Sequence, residues 1–306
     1  MIFADFLLSP LRQNRVGTAS NYQSSYNALK AFKGNVRLSE VTVNYLLEFE
    51  SWMLNVRKNS KTTVGIYTRV LRVIMNEALE RRLLHKDAYP FGRRKYLVPT
   101  GRNIKKAISK DVLSKLYYAE LESESQEKAR DFWFFSFNGN GMNVADIIKL
   151  KYKNLSGEYL SFERTKTELT SRGRDAIVIT CHLNDDIRQT IEKWGNKDKS
   201  PDNFIFPIIS YDNTELEVRL IKQNFVQFIN KNMKKICKIA GVEIPIRTME
   251  ARHTFSTILK NSGVSPHYVK EALGHTSLQT TENYLAGFED EYKKKASEII
   301  NDFKHT

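Results

Sequence analysis

Apolar residues recur every three or four positions along most of this chain, and they alternate in one short stretch. A period near 3.6 gathers side chains on one side of a helix, whereas a period of two gathers them on one face of a strand. The chain therefore reads as mainly helical with one small sheet. Tyr22, Tyr26, Leu29 and Phe32 mark a helix over 19–32. Ser39 and Thr42 are candidate N-caps for the next, over 43–57, because a short side-chain oxygen can take up a free amide of the first turn. A third helix starts at Ser60-Lys61-Thr62 and runs through Val64, Tyr67, Val70, Leu71, Ile74 and Ala78. Further on, Ser109 opens a helix through Val112, Leu116 and Tyr117, and 129–137 is so continuously apolar that it belongs in a core.

The alternating stretch is 157–164, with 176–179 as its antiparallel partner and the polar, basic 166–174 as the turn. Helices then resume. One covers 216–240 and stops at Gly241, a second covers 252–261 before Ser262-Gly263, and Ser265-Pro266 opens a third that ends at Leu273-Gly274. Short helices over 280–285 and 288–300 complete the chain. The fold class is mainly α with a small antiparallel sheet, an α+β arrangement. At 306 residues, two domains are expected, 1–98 helical and 99–306 carrying the hairpin and a C-terminal tail helix. Between them 90–106, with Pro90-Phe91-Gly92-Arg93-Arg94-Lys95 and Pro99-Thr100-Gly101-Arg102, reads as an extended basic linker.

Charge narrows the function classes. The chain has 48 Lys plus Arg against 35 Asp plus Glu, a net charge of +13. An excess of that size acts at long range on anionic partners, nucleic acid first and an acidic membrane surface second. Lys58, Lys61, Arg69, Arg72, Arg81 and Arg82 cluster on and before the third helix. Residues 1–8 are apolar but broken by Asp5 and lack the flanks of a signal peptide, and no run approaches the length of a membrane span. A cytoplasmic protein is expected. Cys181 and Cys237 lack metal-ligand or redox spacing and read as buried thiols. Phosphate-binding loops, dinucleotide fingerprints and zinc-hydrolase helices are absent, which argues against an NTPase, a dehydrogenase and a zinc hydrolase.

The specific signal lies near the C-terminus. Arg252-His253-Thr254-Phe255 is followed by Leu273-Gly274-His275 and then by Tyr284, nine residues after that histidine. A phenol with a pKa near 10 attacks phosphate poorly unless cationic groups stabilise the phenolate and the developing phosphorane charge. Arg252 offers a permanently charged fork for two phosphate oxygens, and His275 can donate to the same phosphate. Together these segments resemble the C-terminal signature of the tyrosine recombinases, the phage integrase family, and are similar above all to integrases of conjugative transposons and prophages. The likeness covers nearly the whole chain, with residues 1–98 resembling the family's core-type DNA-binding domain.

The resemblance implies a site-specific recombinase that works on double-stranded DNA at paired sites as a homotetramer in a bacterial cell. It implies Tyr284 as nucleophile, Arg252 and His275 on the phosphate, and Lys166 of the hairpin as general acid to the departing 5′ oxygen. The phosphotyrosyl link stores the bond energy, so neither a cofactor nor a metal ion is required. Lys58, Lys61, Thr62, Arg69, Arg72, Arg102, Lys105, Arg172 and Arg174 are the expected DNA contacts. The tail 288–306 either packs against a neighbour or covers its own core. Many integrases of this kind carry a further arm-binding domain. Here the core-binding domain starts near Met1, so either the protein never had an arm-binding domain or this is a fragment, and a chain without one suits simple inverted-repeat sites, as in DNA inversion, somewhat better.

Two positions depart from the family pattern. Asn143 stands where a first arginine is usual, and Met249 stands where a histidine is usual three residues before the second. Asparagine carries no charge and methionine moves no proton. Arg130, Arg164 and Arg247 are the candidates to restore the charge, while His253 lies about 100° around the helix from Arg252 and is better suited to a core hydrogen bond. The alternatives are a catalytically impaired recombinase-like DNA-binding protein and a topoisomerase-like relaxing enzyme.

Overall fold

A computed structural model describes residues 16–101, 107–164 and 177–275. The chain divides into two compact units, Met1–Asn103 and Ile104–Thr306. It is mainly helical with one three-stranded antiparallel sheet, as the periodicity predicts.

The first unit contains α1 (Val16–Lys33), α2 (Val43–Asn55) and α3 (Lys61–Glu80). Thr42 and Ser60 cap α2 and α3, each accepting from the amide three residues on. Ser39 instead lies inside a short 3-10 turn, Leu38–Glu40. Leu46, Phe49, Met53, Val64, Leu71, Ile74 and Met75 form the centre of the core. Phe32 meets Tyr45, Phe49 and Trp52 at ring distances of 5.4–5.5 Å.

The reading of 90–106 as an extended linker is corrected over its first half. Phe91 and Tyr96 are buried in this same core. Tyr96 Oη donates to Glu50 Oε2 at 2.8 Å, and its amide donates to Pro90 O at 2.9 Å. Arg93, Arg94 and Lys95 at the tip are exposed as expected, and so is Leu97. Two aromatic residues bury more apolar surface than a solvated tether would tolerate exposing, and they fold the segment back. The following residues lie on α3: a Cβ on Gly65 would stand 2.1 Å from Pro99 O, and one on Gly101 would stand 2.1 Å from Thr62 Oγ1.

The second unit is built around α5 (Glu124–Asn138), whose Phe132, Trp133 and Phe135 are fully buried. Around it lie α4 (Lys110–Tyr117), the short α6 (Val144–Ile147), α7 (Asp185–Trp194), α8 (Glu215–Ile239), α9 (Thr248–Asn261) and α10 (Pro266–Ala272). The periodicity reading omits α7, although Asn184 caps it, two aspartates open it, and Ile187 and Ile191 share its buried side. The sheet runs β1 (Leu155–Ser156), β2 (Tyr159–Glu163), β3 (Val178–His182). Its partner strand lies two residues later than expected, with Glu163 opposite Val178 and Phe162 opposite Ile179. Burial decides this register, since Ile179 and Cys181 face the core with Leu160 and Phe162. The turn 166–174 and the helices expected over 280–285 and 288–300 lie outside the described residues.

Candidate active site

Several separate pieces of the second unit meet at one buried place. The turn after α5 supplies the first. Asn140 and Gly141 take left-handed φ of +57° and +65°. Ser136 Oγ donates to Met142 O at 2.6 Å and Asn140 Nδ2 donates to Thr180 O at 3.1 Å, so the turn is fastened to its own helix and to β3. It passes close to α9, where a Cβ on Gly141 would lie 2.8 Å from Arg252 Cα and 2.9 Å from its Cγ.

Helix α9 is held by hydrogen bonds to three other segments. Trp133 Nε1 donates to Arg247 O at 2.9 Å, the Thr248 amide donates to Asn230 Oδ1 at 2.9 Å, and the Ile108 amide donates to Thr254 Oγ1 at 3.0 Å. These ties set the rotation that leaves Arg252 only 2% exposed. Its Nη1 donates to Gly141 O at 3.0 Å and its Nη2 to Leu273 O at 2.5 Å. Nη2 also lies 3.2 Å from His275 Nε2. A guanidinium has donors only, so Nε2 accepts here and the imidazole proton sits on Nδ1.

His275 owes its place to the end of α10. Gly274 has φ +60°, its amide donates to Glu271 O at 2.8 Å, and the His275 amide donates to Lys270 O at 3.0 Å. This paired closure needs a left-handed residue after the last turn and leaves His275 6% exposed beside Arg252. Arg164, the residue after β2, enters from the sheet. It is 8% exposed, and its Nη1 donates to Gly274 O at 3.1 Å and to Leu273 O at 3.3 Å.

Of the predicted catalytic residues, the structure brings Arg252 and His275 together, while Tyr284 and Lys166 lie outside the described residues. Asn143 is the N-cap of α6 and is half-buried. Met249, in the first turn of α9, is 42% exposed. His253 is half-buried and offers its carbonyl to Ser256. Among the three charge candidates, Arg130 donates to Tyr117 O at 2.9 Å and lies 3.7 Å from Asp131, which is a different location. Arg247, the N-cap residue of α9, is exposed and lines a separate concavity with Lys234 and Lys238. Arg164 alone of the three reaches the Leu273–Gly274 carbonyls in the described contacts.

In the first unit, Lys61, Arg69 and Arg72 are exposed and fall on one face of α3 by their spacing of eight and then three residues. Lys58, also exposed, has φ +53° just before the Ser60 cap. Thr62 is half-buried beside Gly101, where a Cβ would stand 2.1 Å from its Oγ1. Arg102, Lys105, Arg172 and Arg174 lie outside the described residues. Among the described residues no group of three His, Cys, Asp or Glu is placed to hold a metal ion, and no helix is long and apolar enough to cross a membrane.

Comparison with known proteins follows the same division. The phage integrase family model matches residues 106–291, and the phage integrase SAM-like domain model matches residues 2–98. A tyrosine recombinase of Pseudothermotoga lettingae is 26% identical over 146 residues, 47% of this chain and 45% of that protein. The tyrosine recombinase XerD of Listeria innocua is 27% identical over 149 residues, again 47% of this chain and 45% of the relative. The match thus spans less than half the length of each. Among solved structures, the Tn1549 transposon integrase in complex with transposon right end DNA superposes over 97% of this chain and 99% of its own, with a TM-score of 0.68 at 16% identity. A lambda integrase tetramer bound to a Holliday junction does so over 94% and 78%, with a TM-score of 0.65 at 15% identity. At such identities the likeness is one of fold.

Proposed function

The chain belongs to the phage integrase family, and on that premise we propose that it is a site-specific DNA recombinase which cuts and rejoins strands through a covalent 3′-phosphotyrosyl intermediate. The observation that supports this most is the meeting of Arg252 and His275 in one buried place, with Tyr284 nine residues after that histidine. Burial matters because a cation in a water-poor site stabilises developing anionic charge far more than one in bulk water.

In the proposed reaction Tyr284 Oη gives up its proton to water and attacks the scissile phosphorus as the phenolate. Negative charge grows on the non-bridging oxygens, where the Arg252 fork and a His275 N–H meet it. Because His275 Nε2 accepts from Arg252, donation from that nitrogen to phosphate requires its release or a proton moved to it. The bond to the 5′ oxygen then breaks, and Lys166 delivers the proton that oxygen needs. Attack of a free 5′ hydroxyl on the phosphotyrosine reverses these steps and joins the new strand.

Double-stranded DNA is the proposed substrate, and the exposed Lys61, Arg69 and Arg72 face of α3 gives its backbone a cationic surface. Four protomers on paired sites are the proposed assembly, in keeping with the lambda integrase tetramer.

The test begins with the duplex site that the protein selects from a random pool, nicked close to the scissile phosphate so that cleavage cannot reverse. Wild type is expected to form a covalent adduct that survives denaturation, and Tyr284→Phe none. Lys166→Ala is expected to slow the reaction and to recover when a 5′ thiol replaces the 5′ hydroxyl, since a thiolate departs without a proton. A catalytically impaired DNA-binding protein is the second reading, favoured by the uncharged Asn143 and the exposed Met249. Specific binding with no adduct from wild type would decide for it.

A further inference from the structure

Resting on the strand-transfer reading above, we propose that Arg164 is a catalytic residue, the second guanidinium on the scissile phosphate, in place of the charge that Asn143 lacks. Three features of the described residues converge on it. The first is shared geometry: Arg164 Nη1 and Arg252 Nη2 donate to the same carbonyl, Leu273 O, at 3.3 and 2.5 Å. Two forks that share one acceptor lie close to each other, and His275 Nε2 lies 3.2 Å from the same Nη2.

The second feature is that room is made for both stems by absent side chains. A Cβ on Gly274 would stand 2.8 Å from Arg164 Cδ, and one on Gly141 would stand 2.9 Å from Arg252 Cγ. Each arginine is thus threaded past a glycine with positive φ before its guanidinium reaches the carbonyls of 273 and 274. The third is elimination. Asn143 is an uncharged N-cap, Arg130 is held at Tyr117 and Ala119, and Arg247 is exposed and lines a separate concavity with Lys234 and Lys238.

Chemistry then selects the ligand. A phosphodiester carries one negative charge and the pentacovalent phosphorane formed by phenolate attack carries two. Two adjacent guanidiniums that repel each other in the free protein therefore favour the transition state over the ground state, which is the requirement for catalysis. The charge comes from the end of β2, so it is set by sheet register and not by the turn after α5.

The competing role for Arg164 is purely structural, as a tie to the buried Asp146 that lines the same concavity of about 650 Å³. Adduct formation on the nicked duplex separates the two when it is timed with an ordinary scissile phosphate and with a methylphosphonate, whose non-bridging methyl removes one charge. Arg164→Ala is expected to lose about 10²- to 10³-fold on phosphate, the range for removing one oxyanion donor. On methylphosphonate the loss is expected to shrink below about tenfold, because one charge fewer needs balancing.

Arg164→Lys, which keeps charge but not the fork, is expected to fall between and to carry the same comparison should the alanine variant unfold. Wild-type rates on phosphate from both variants, or an equal deficit on both substrates, overturn the proposal. Absence of adduct from wild type itself is a different result: it removes the strand-transfer reading, and this proposal with it.

Discussion

At Gly274 the backbone takes φ +60°, and a Cβ would lie 2.5 Å from Ile179 Cδ1 and 2.8 Å from Arg164 Cδ. Either condition alone selects against a side chain, the first at a cost of about 1–2 kcal/mol. Gly274→Ala is therefore expected to lower the melting temperature and to slow adduct formation at least tenfold, with DNA affinity changed by less than that; scanning calorimetry and a timed gel check the two effects. Asn143 gives the complementary prediction. Placed in the Arg164→Ala background, Asn143→Arg is expected to return at least tenfold of the lost rate, and no recovery would mean that this position does not face the phosphate. The proposed roles of Arg252 and His275 are legible in the sequence because a short ordered pattern carries them. Arg164 stands level there with Arg130 and Arg247, because a contact across more than a hundred residues leaves no local pattern.

Helix α5 is recognisable from its run of apolar residues and shows why such a run needs company. Phe132 packs edge-on against Phe206 at 4.7 Å and Phe225 at 4.9 Å, from a loop and from α8. Phe132→Ala is expected to cost about 3–5 kcal/mol in denaturant unfolding, the range for removing a buried aromatic ring. Strand β3 lies two residues later than its sequence suggests because polar Thr180 and His182 interrupt its apolar run, and only pairing with β2 shows Cys181 on the buried side. Burial pushes the Cys181 thiol up from 9.0 to about 12. The folded state thus holds this proton more tightly than the unfolded chain. Stability from that burial is full below about pH 9 and falls as pH rises toward 12. At pH 8 Cys181 is expected to resist iodoacetamide in the folded protein and to react once denatured, as mass spectrometry of its peptide would show. The segment 90–106 reads as a tether because prolines, glycines and cations dominate it, yet in its first half Phe91 and Tyr96 outweigh them once a core is present to receive their rings.

For the molecule as a whole, the charge of +13 now has described cations on one face of α3, at Lys61, Arg69 and Arg72. If that face meets a DNA backbone, affinity falls with salt by about 0.9 log unit per log unit for each phosphate neutralised. Substituting all three by alanine is expected to flatten that slope by about 0.9 for each phosphate they neutralise, and an unchanged slope would place the charges elsewhere. By itself the sequence determined the helical class, the small sheet, the expected two-part organisation, and the order of Arg252, His275 and Tyr284. Each rests on periodicity, caps or spacing, which neighbouring residues impose on one another. Tertiary structure alone decided that Arg164 joins Arg252 at Leu273, that Thr62 packs on Gly101, and which residues of β3 face inward. Those outcomes depend on which distant segments share a buried volume, and a cation's neighbours are fixed by that packing and not by its position along the chain.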